Sequence, residues 1–435
     1  MNNSLQWSHV RRNIDRGNIS LSAVCIGVIL LCALMTGFVS QSLLSFAVLA
    51  ISILLVISGD IYLVFPIMLF YYESFGQLMG MSTYRYFSLL FLFAIILMRP
   101  IFTFRFSQFV PFFLFVIYCG IVIAPDNVRK AIFAVVDIVC ILALVNYFLC
   151  DERKMKKFFT VYAFTAICAF FTGVFLNRSH SAVTEINGEF VEIVRNYATF
   201  EDPNYAGLFY TLAIFAVVTL KLFKPAWRAA IVIALYAMVL TTLSITAIIV
   251  NILLWLLYLI VFKKINAITG VCLILVVIIL LGLYAYGLSR PSTPVIGMLS
   301  LRISDKLNSL ESNDIDSVTT NRSALTERHW QFFQNQSPFR MLVGMNAAST
   351  LKTDLNGDRG AAHNEYVDLL LNIGIFGTIL YLGTFLSRGL VAYQGLRTPK
   401  SGYWGCIFMT KAIWLLYALT LTMFGDYRFM LLFFL

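Results

Sequence analysis

Two arginines and one histidine are the residues of this sequence whose types and spacing could support group transfer. Arg195 and Arg322 lie in two polar segments between apolar runs, and His363 ends the second segment. A guanidinium binds phosphate oxygens through charge-assisted hydrogen bonds and stabilises the charge that develops on a diphosphate leaving group. A histidine just before a helix N-terminus lies at the positive end of the helix dipole, which favours neutral imidazole, a proton acceptor. These residue types suit transfer from a phosphorylated donor to a hydroxyl, for which His363 would be the candidate general base.

The same residues also have structural interpretations. Arg195 could snorkel to the membrane interface, and Asn364 could cap a helix while His363 is an ordinary loop residue. Asp202 before Pro203 is typical of an N-cap followed by proline at the first helical position.

His329 is the alternative general base, because it follows Arg322 by seven residues and shares its face if the segment is helical. Its spacing beside Phe332 and Phe333 favours a packing role instead.

Composition places all of these residues in a membrane protein. Of the 435 residues, 60% are hydrophobic and 12% are charged, against about 45–50% and about 25% in soluble domains. With about 20 apolar residues per crossing, the sequence predicts an all-α, polytopic helical membrane protein with about 12 transmembrane helices. The net charge of +10 therefore need not indicate nucleic acid, and we expect no nucleic-acid partner.

The basic residues concentrate in alternate short connections, which predicts a cytoplasmic N-terminus. Helical spacing of apolar residues predicts amphipathic helices over 296–310 and 325–333 of a long extracytoplasmic loop. The predicted organisation begins with an N-terminal transmembrane bundle (1–176), a first extracytoplasmic loop (177–203) and central transmembrane helices (204–288). The long extracytoplasmic loop with the catalytic residues (289–365) and C-terminal transmembrane helices (366–435) follow.

Metal and disulfide chemistry are not expected. All eight cysteines lie in apolar stretches or at their ends, where a thiol packs as a small hydrophobe. No histidine pairs with a carboxylate at a metal-ligand spacing. We predict neither a metal nor a cofactor.

Two ionisable residues lie within predicted spans. Asp137 enters its span from the outer side, and an intramembrane carboxylate is a functional candidate by default. It could face the active-site cavity and orient an arginine. Lys411 enters from the cytoplasmic side, where snorkelling is the favoured interpretation.

The motif blocks resemble the superfamily of O-antigen ligases and oligosaccharide repeat-unit polymerases. One block runs from Arg195 to Asp202-Pro203-Asn204, and the other from Arg322 through Gly344 to His363-Asn364-Glu365-Tyr366 and Gly374. The resemblance covers residues 190–380 by motif and the whole chain by span count. Two departures concern the glycan side: no arginine follows Ser244, and Gly344-Met345-Asn346 replaces a commoner Gly-x-Gly.

The resemblance implies a GT-C-like fold and a metal-independent enzyme acting on undecaprenyl-diphosphate-linked glycans at the outer face of the bacterial cytoplasmic (inner) membrane. It assigns Arg195 and Arg322 to the lipid diphosphate and His363 to the acceptor hydroxyl. The residues expected to bind substrate are Asn204, Asn364, Glu365, Tyr366 and Asp137.

Within this superfamily the sequence favours a polysaccharide polymerase, which moves the growing glycan onto the next lipid-linked repeat unit. An O-antigen ligase, whose acceptor is a lipid A core sugar, is the alternative inside the family. A lipid-linked oligosaccharide flippase is the alternative from another class, but it would place charges along several spans. The expected partners are the lipid-linked oligosaccharide, the sugar acceptor, the bilayer and a chain-length regulator.

Overall fold

A computed structural model shows a predominantly helical protein. The chain forms two compact units, of which the first comprises residues 1–103, 139–177 and 198–200 and the second the remainder. The structure describes residues 21–36, 38–75, 77–78, 81–97, 138–146, 151–175, 179–186, 189–196, 198–200, 202–262, 280–291, 295–312, 322–344 and 363–421, and the isolated residues 114, 136, 278, 293 and 423.

The first unit is helical and aromatic in its core. Phe65 contacts the rings of Phe87 and Phe91 at centroid distances of 4.8 and 5.0 Å, and Tyr71 shares a 2.8 Å hydrogen bond with Thr172. Its described elements include α1 (Leu21–Leu34), α2 (Gln41–Ser58), α3 (Phe65–Phe75), α4 (Thr83–Leu97) and α5 (Glu152–Phe175), with a 3-10 turn at Ile61–Val64 and a short hairpin of β1 (Gln77–Leu78) and β2 (Met81–Ser82). Residues 139–146 are also helical.

The described elements of the second unit are an antiparallel hairpin followed by helices. Its described elements are β3 (Ser179–Ile186), β4 (Glu189–Asn196), α6 (Pro203–Thr219), α7 (Pro225–Thr241), α8 (Ile245–Val261), α9 (Leu280–Ser289), α10 (Ile296–Glu311), α11 (Arg322–Gln334), α12 (Pro338–Val343), α13 (Glu365–Gly395) and α14 (Ser401–Tyr417). In the hairpin, His180 is paired with Arg195. The two amphipathic helices predicted in the long polar segment are confirmed as α10 and α11.

Helix α6 is the centre of the second unit, because it packs against α7, α8 and α14. A buried hydrogen-bond chain joins these helices: the Asn251 amide donates to the Thr211 hydroxyl at 2.7 Å, and Thr211 shares a 3.1 Å bond with Tyr417. Tyr236 donates to the Asn251 oxygen at 3.3 Å. Between apolar helices such bonds restrict the packing to one arrangement, since a shift would leave polar groups without partners.

A kink in α13 depends on two glycines. Gly374 has φ 63° inside the helix, and Gly344, at the end of α12, has φ 88°. A Cβ at Gly344 would lie 2.6 Å from backbone atoms of Asn372, Ile373 and Gly374. Glycine is required at this crossing because the two backbones meet where a side chain has no room.

The described residues contain two helices long and apolar enough to cross a membrane, Glu152–Phe175 and Glu365–Gly395, and several shorter apolar helices. The helical, membrane-like character predicted from composition is thus supported. The count of about twelve spans and their orientation stay predictions.

The expectation that Lys411 snorkels is wrong. The residue is 3% exposed, and its Nζ lies 4.5 Å from the centre of the Phe385 ring. Because α13 packs against α14, the amino group of Lys411 lies over the Phe385 ring inside the protein.

Candidate active site

A cavity of about 1050 Å³ lies within the second unit. Residues of β4, α6, α8, α10 and α11, the residues that precede α13, and the segment after α14 line it. The predicted site residues Arg195, Arg322 and His363 all line this cavity, together with Asn204 and Asn364. Residues more than 150 positions apart in the sequence therefore converge on one space.

Arg195 reaches the cavity from the hairpin strand β4. Its Nε donates to the carbonyl oxygen of Thr242 at 3.0 Å, and Thr242 is the C-cap of α7. The last carbonyls of a helix have no intrahelical partner and carry the negative end of its dipole, so they suit a cation. Arg195 is thus held by the end of a helix.

Arg302, in α10, is a third arginine of the cavity that sequence reasoning missed. It donates to the carbonyl oxygen of Leu243, the residue after Thr242. Leu243 has a positive φ of 49° and packs against apolar residues in and just before α10. The adjacent carbonyls of Thr242 and Leu243 therefore fix two guanidiniums side by side.

Arg322, the first residue of α11, completes the set. Its Nη1 donates to the Thr420 carbonyl oxygen at 3.1 Å, just beyond the end of α14. Among the described residues, each of the three guanidiniums thus donates to a backbone carbonyl, and a guanidinium carries five N–H groups in all.

Like charges act on one another at this site. Burial, followed by the charge of Arg302, lowers the pKa of Arg195 to about 10, and the carboxylate of Asp202 partly opposes this shift. Burial and the charge of Arg322 also lower the pKa of Arg302. Both remain cationic at neutral pH, so their repulsion is relieved when an anion binds among them.

His363 lies just before α13, in a left-handed conformation with φ 50°. Burial lowers the pKa of its imidazole, and the neighbouring charge of Arg322 lowers it further. The ring is therefore neutral at pH 7 and can accept a proton. Asn364 caps α13, since its side-chain oxygen accepts from the backbone N–H groups of Tyr366 and Val367 at 3.0 and 3.3 Å. Asn364 therefore both caps α13 and lines the cavity.

Glu365 and Tyr366, both expected to bind substrate, are not among the residues that line the cavity. Glu365 is fully buried, and its carboxylate accepts from the Met423 N–H at 2.5 Å. The Tyr366 hydroxyl donates to the Leu415 carbonyl at 3.1 Å. Both residues attach the start of α13 to α14 and its following segment, which positions His363 without requiring substrate contact.

Asn204 lines the cavity from the start of α6. The Asp202 carboxylate accepts from the Asn204 N–H at 2.6 Å, and Pro203 begins the helix, so the predicted N-cap is confirmed. Ser244, the N-cap of α8, donates to the Asn204 side-chain oxygen at 2.5 Å. This bond joins the N-termini of two helices at the cavity.

His329 has the packing role that its spacing favoured. It is 4% exposed, its Nδ1 bonds to the Leu325 carbonyl at 2.7 Å, and it does not line the cavity. Asp137, the other candidate, lies outside the described residues. Within the part of the chain that the structure describes, no cluster of His, Cys, Asp and Glu could hold a metal ion.

The cavity is amphipathic. Isoleucines spaced along one face of α8 form an apolar wall, Ile245, Ile248, Ile249 and Ile252. Beyond Arg322, α11 contributes the polar residues Ser323, Thr326 and Glu327. A ligand that fits these walls has an anionic centre, an apolar chain and a polar portion.

Comparison with known proteins agrees with this chemistry. A family model described as O-antigen ligase matches residues 229–382, a region that includes Arg302, Arg322 and His363. No curated protein and no solved structure matches the chain. The match covers residues 229–382, about a third of the chain, and agrees with the ligase and polymerase superfamily that the motifs resemble.

Proposed function

We propose that this protein is a polysaccharide polymerase, which transfers a growing glycan from undecaprenyl diphosphate to a sugar hydroxyl of another lipid-linked repeat unit. The convergence of Arg195, Arg302, Arg322 and His363 on one amphipathic cavity carries the proposal. The site would open on the outer face of the inner membrane, where the substrates are bilayer-bound lipids.

The donor matches the two halves of the cavity. Its diphosphate carries several negative charges, and the three guanidiniums offer forked donors to phosphate oxygens. Its polyprenyl chain would follow the isoleucine face of α8, where Ile249 and Ile252 are 51% and 48% exposed. Apolar surface of this kind is stabilised when a hydrocarbon chain covers it.

The transfer is a single displacement. The acceptor hydroxyl oxygen attacks the anomeric carbon, the bond from that carbon to the diphosphate oxygen breaks, and the hydroxyl proton passes to the His363 imidazole. The lipid diphosphate leaves with the electron pair of the broken bond, and the arginines stabilise its charge. One displacement inverts the anomeric configuration.

Ligation is the second candidate, because the family model that matches is described as O-antigen ligase. In that reaction the donor site would be the same and the acceptor would be a lipid A core sugar. Polymerase and ligase therefore differ in acceptor alone.

Deleting the gene and complementing it tests the proposal. Without the protein, glycan acceptors should carry a single repeat unit on a gel, and the wild-type gene should restore long chains. His363→Ala, present in the membrane at wild-type abundance, should not restore them, because a positioned base contributes about 10²–10⁴-fold.

Other results identify the alternatives. Complete loss of glycan from the acceptor in the deletion strain would indicate the ligase. A transporter would be identified by two results together. The purified protein would fail to join lipid-linked repeat units in detergent, and after reconstitution it would move them across vesicle membranes. Long chains made by the His363→Ala variant would refute the assigned base.

A further inference from the structure

Besides Arg322, the cavity-facing side of α11 carries residues that diphosphate binding does not use. Arg322, Ser323, Thr326, Glu327 and Trp330 all line the cavity, and their spacing places them on one face of the helix. The opposite side of α11 packs on α13, where Phe333 joins a buried cluster with Val367 and Leu371. The helix is therefore held by one side and presents the other to the cavity.

Trp330 is the largest side chain on this face. It is 40% exposed, and its ring is stacked on buried Phe333 with a centroid distance of 5.7 Å and an interplanar angle of 29°. Phe333 thus fixes the orientation of the indole. A rigid aromatic ring of this kind offers a flat apolar surface at little conformational cost, with polar groups beside it.

The position of Trp330 along α11 relates it to the anionic centre. Trp330 follows Arg322 by eight positions, or about 12 Å along the helix axis, which exceeds the length of one pyranose ring. A glycan whose first sugar lies at the diphosphate would reach Trp330 with a later sugar.

On the basis of the proposed function, we infer that the α11 face formed by Ser323, Thr326, Glu327 and Trp330 is a glycan subsite. In it, one face of a pyranose ring stacks on the Trp330 indole, and hydroxyl groups bond to the side chains of Thr326 and Glu327. The ring belongs either to the donor glycan or to the acceptor glycan, since both contain the same repeat unit.

The test measures kcat/KM of the purified protein for lipid-diphosphate donors that carry one sugar or a complete repeat unit, with the acceptor constant. Trp330→Ala should lower kcat/KM for the complete donor about 10- to 100-fold, the usual range for truncating a buried aromatic contact. It should leave the one-sugar donor unchanged. For donors too short to turn over, the inhibition constant replaces kcat/KM. The same comparison with acceptors of two lengths and a constant donor identifies which glycan occupies the subsite.

Two variants separate stacking from fold. Trp330→Phe should recover most of the activity, and the loss in Trp330→Ala should lie mainly in KM, since stacking holds the substrate before and during reaction. Phe339→Ala is the matched control, because Phe339 is 71% exposed and does not line the cavity.

The inference is overturned if Trp330→Ala has no effect, or reduces activity equally for long and short glycans on both sides. An interfacial membrane anchor gives the length-independent result. These outcomes leave the proposed function intact as long as the wild type polymerises and His363→Ala does not.

Discussion

Arg302 provides the sharpest test of how the site binds its anion. Arg302→Gln removes one of three guanidiniums from the cavity, together with the bond to the Leu243 carbonyl. Arg302→Lys keeps a positive charge but replaces the planar fork by a single ammonium. The pair of variants therefore separates the contribution of charge from that of geometry.

The magnitude follows from the number of donors. Removing one donor to a developing oxyanion lowers kcat by about 10²–10³-fold. Arg195 and Arg322 remain in Arg302→Gln, so we expect a value near the lower end, about 100-fold. Arg302→Lys should lose about 10-fold, since a charge-assisted bond remains but bidentate geometry is lost.

The assay is single-turnover transfer from a lipid-linked donor by purified protein at saturating acceptor. Arg328→Gln is the matched control: Arg328 is exposed on α11, six residues from Arg322, and does not line the cavity. Equal activity of the Arg302→Gln and Arg328→Gln variants would refute a role for Arg302 in stabilising the leaving group. If Arg302→Gln lowers both the transfer rate and the melting temperature, while Arg302→Lys and Arg328→Gln lower neither, the role of Arg302 is to hold Leu243 in place.

Two further predictions concern the base and its support. The pKa of His363 is lowered by burial and by Arg322, so kcat/KM should fall only below about pH 6.5, as the imidazole becomes protonated. In the residual activity of Arg322→Gln this acid limb should move to higher pH, and an unchanged limb would assign it to another group. Gly374→Ala should lower the melting temperature and the transfer rate. The φ of 63° and the nearby Gly344 backbone both oppose a Cβ at this position, and the strain should reduce the free energy of unfolding by about 1–3 kcal/mol. Gly383→Ala, in the same helix with open space around its Cβ, should be neutral, and equal effects of the two would contradict the crossing.

Local patterns in the sequence were sufficient for several elements. The apolar spacing of 296–310 and 325–333 predicted α10 and α11, and the Asp202-Pro203 pair predicted the start of α6. The hairpin of β3 and β4 was not predicted. Its sequence signal is Asn187-Gly188, a typical two-residue turn between two segments rich in residues that favour strands.

By itself the sequence determined the helical, membrane-type composition and the chemical types of Arg195, Arg322 and His363, because composition, periodicity and motifs are local properties of the chain. Tertiary structure alone decided that Arg302 joins them, since a charge on the polar face of an amphipathic helix looks the same whether it faces water or a cavity. It also decided that Lys411 is buried and that Glu365 supports α13. Such roles depend on which distant backbone carbonyls and rings lie within contact distance, and that is set by the packing of helices far apart in the chain.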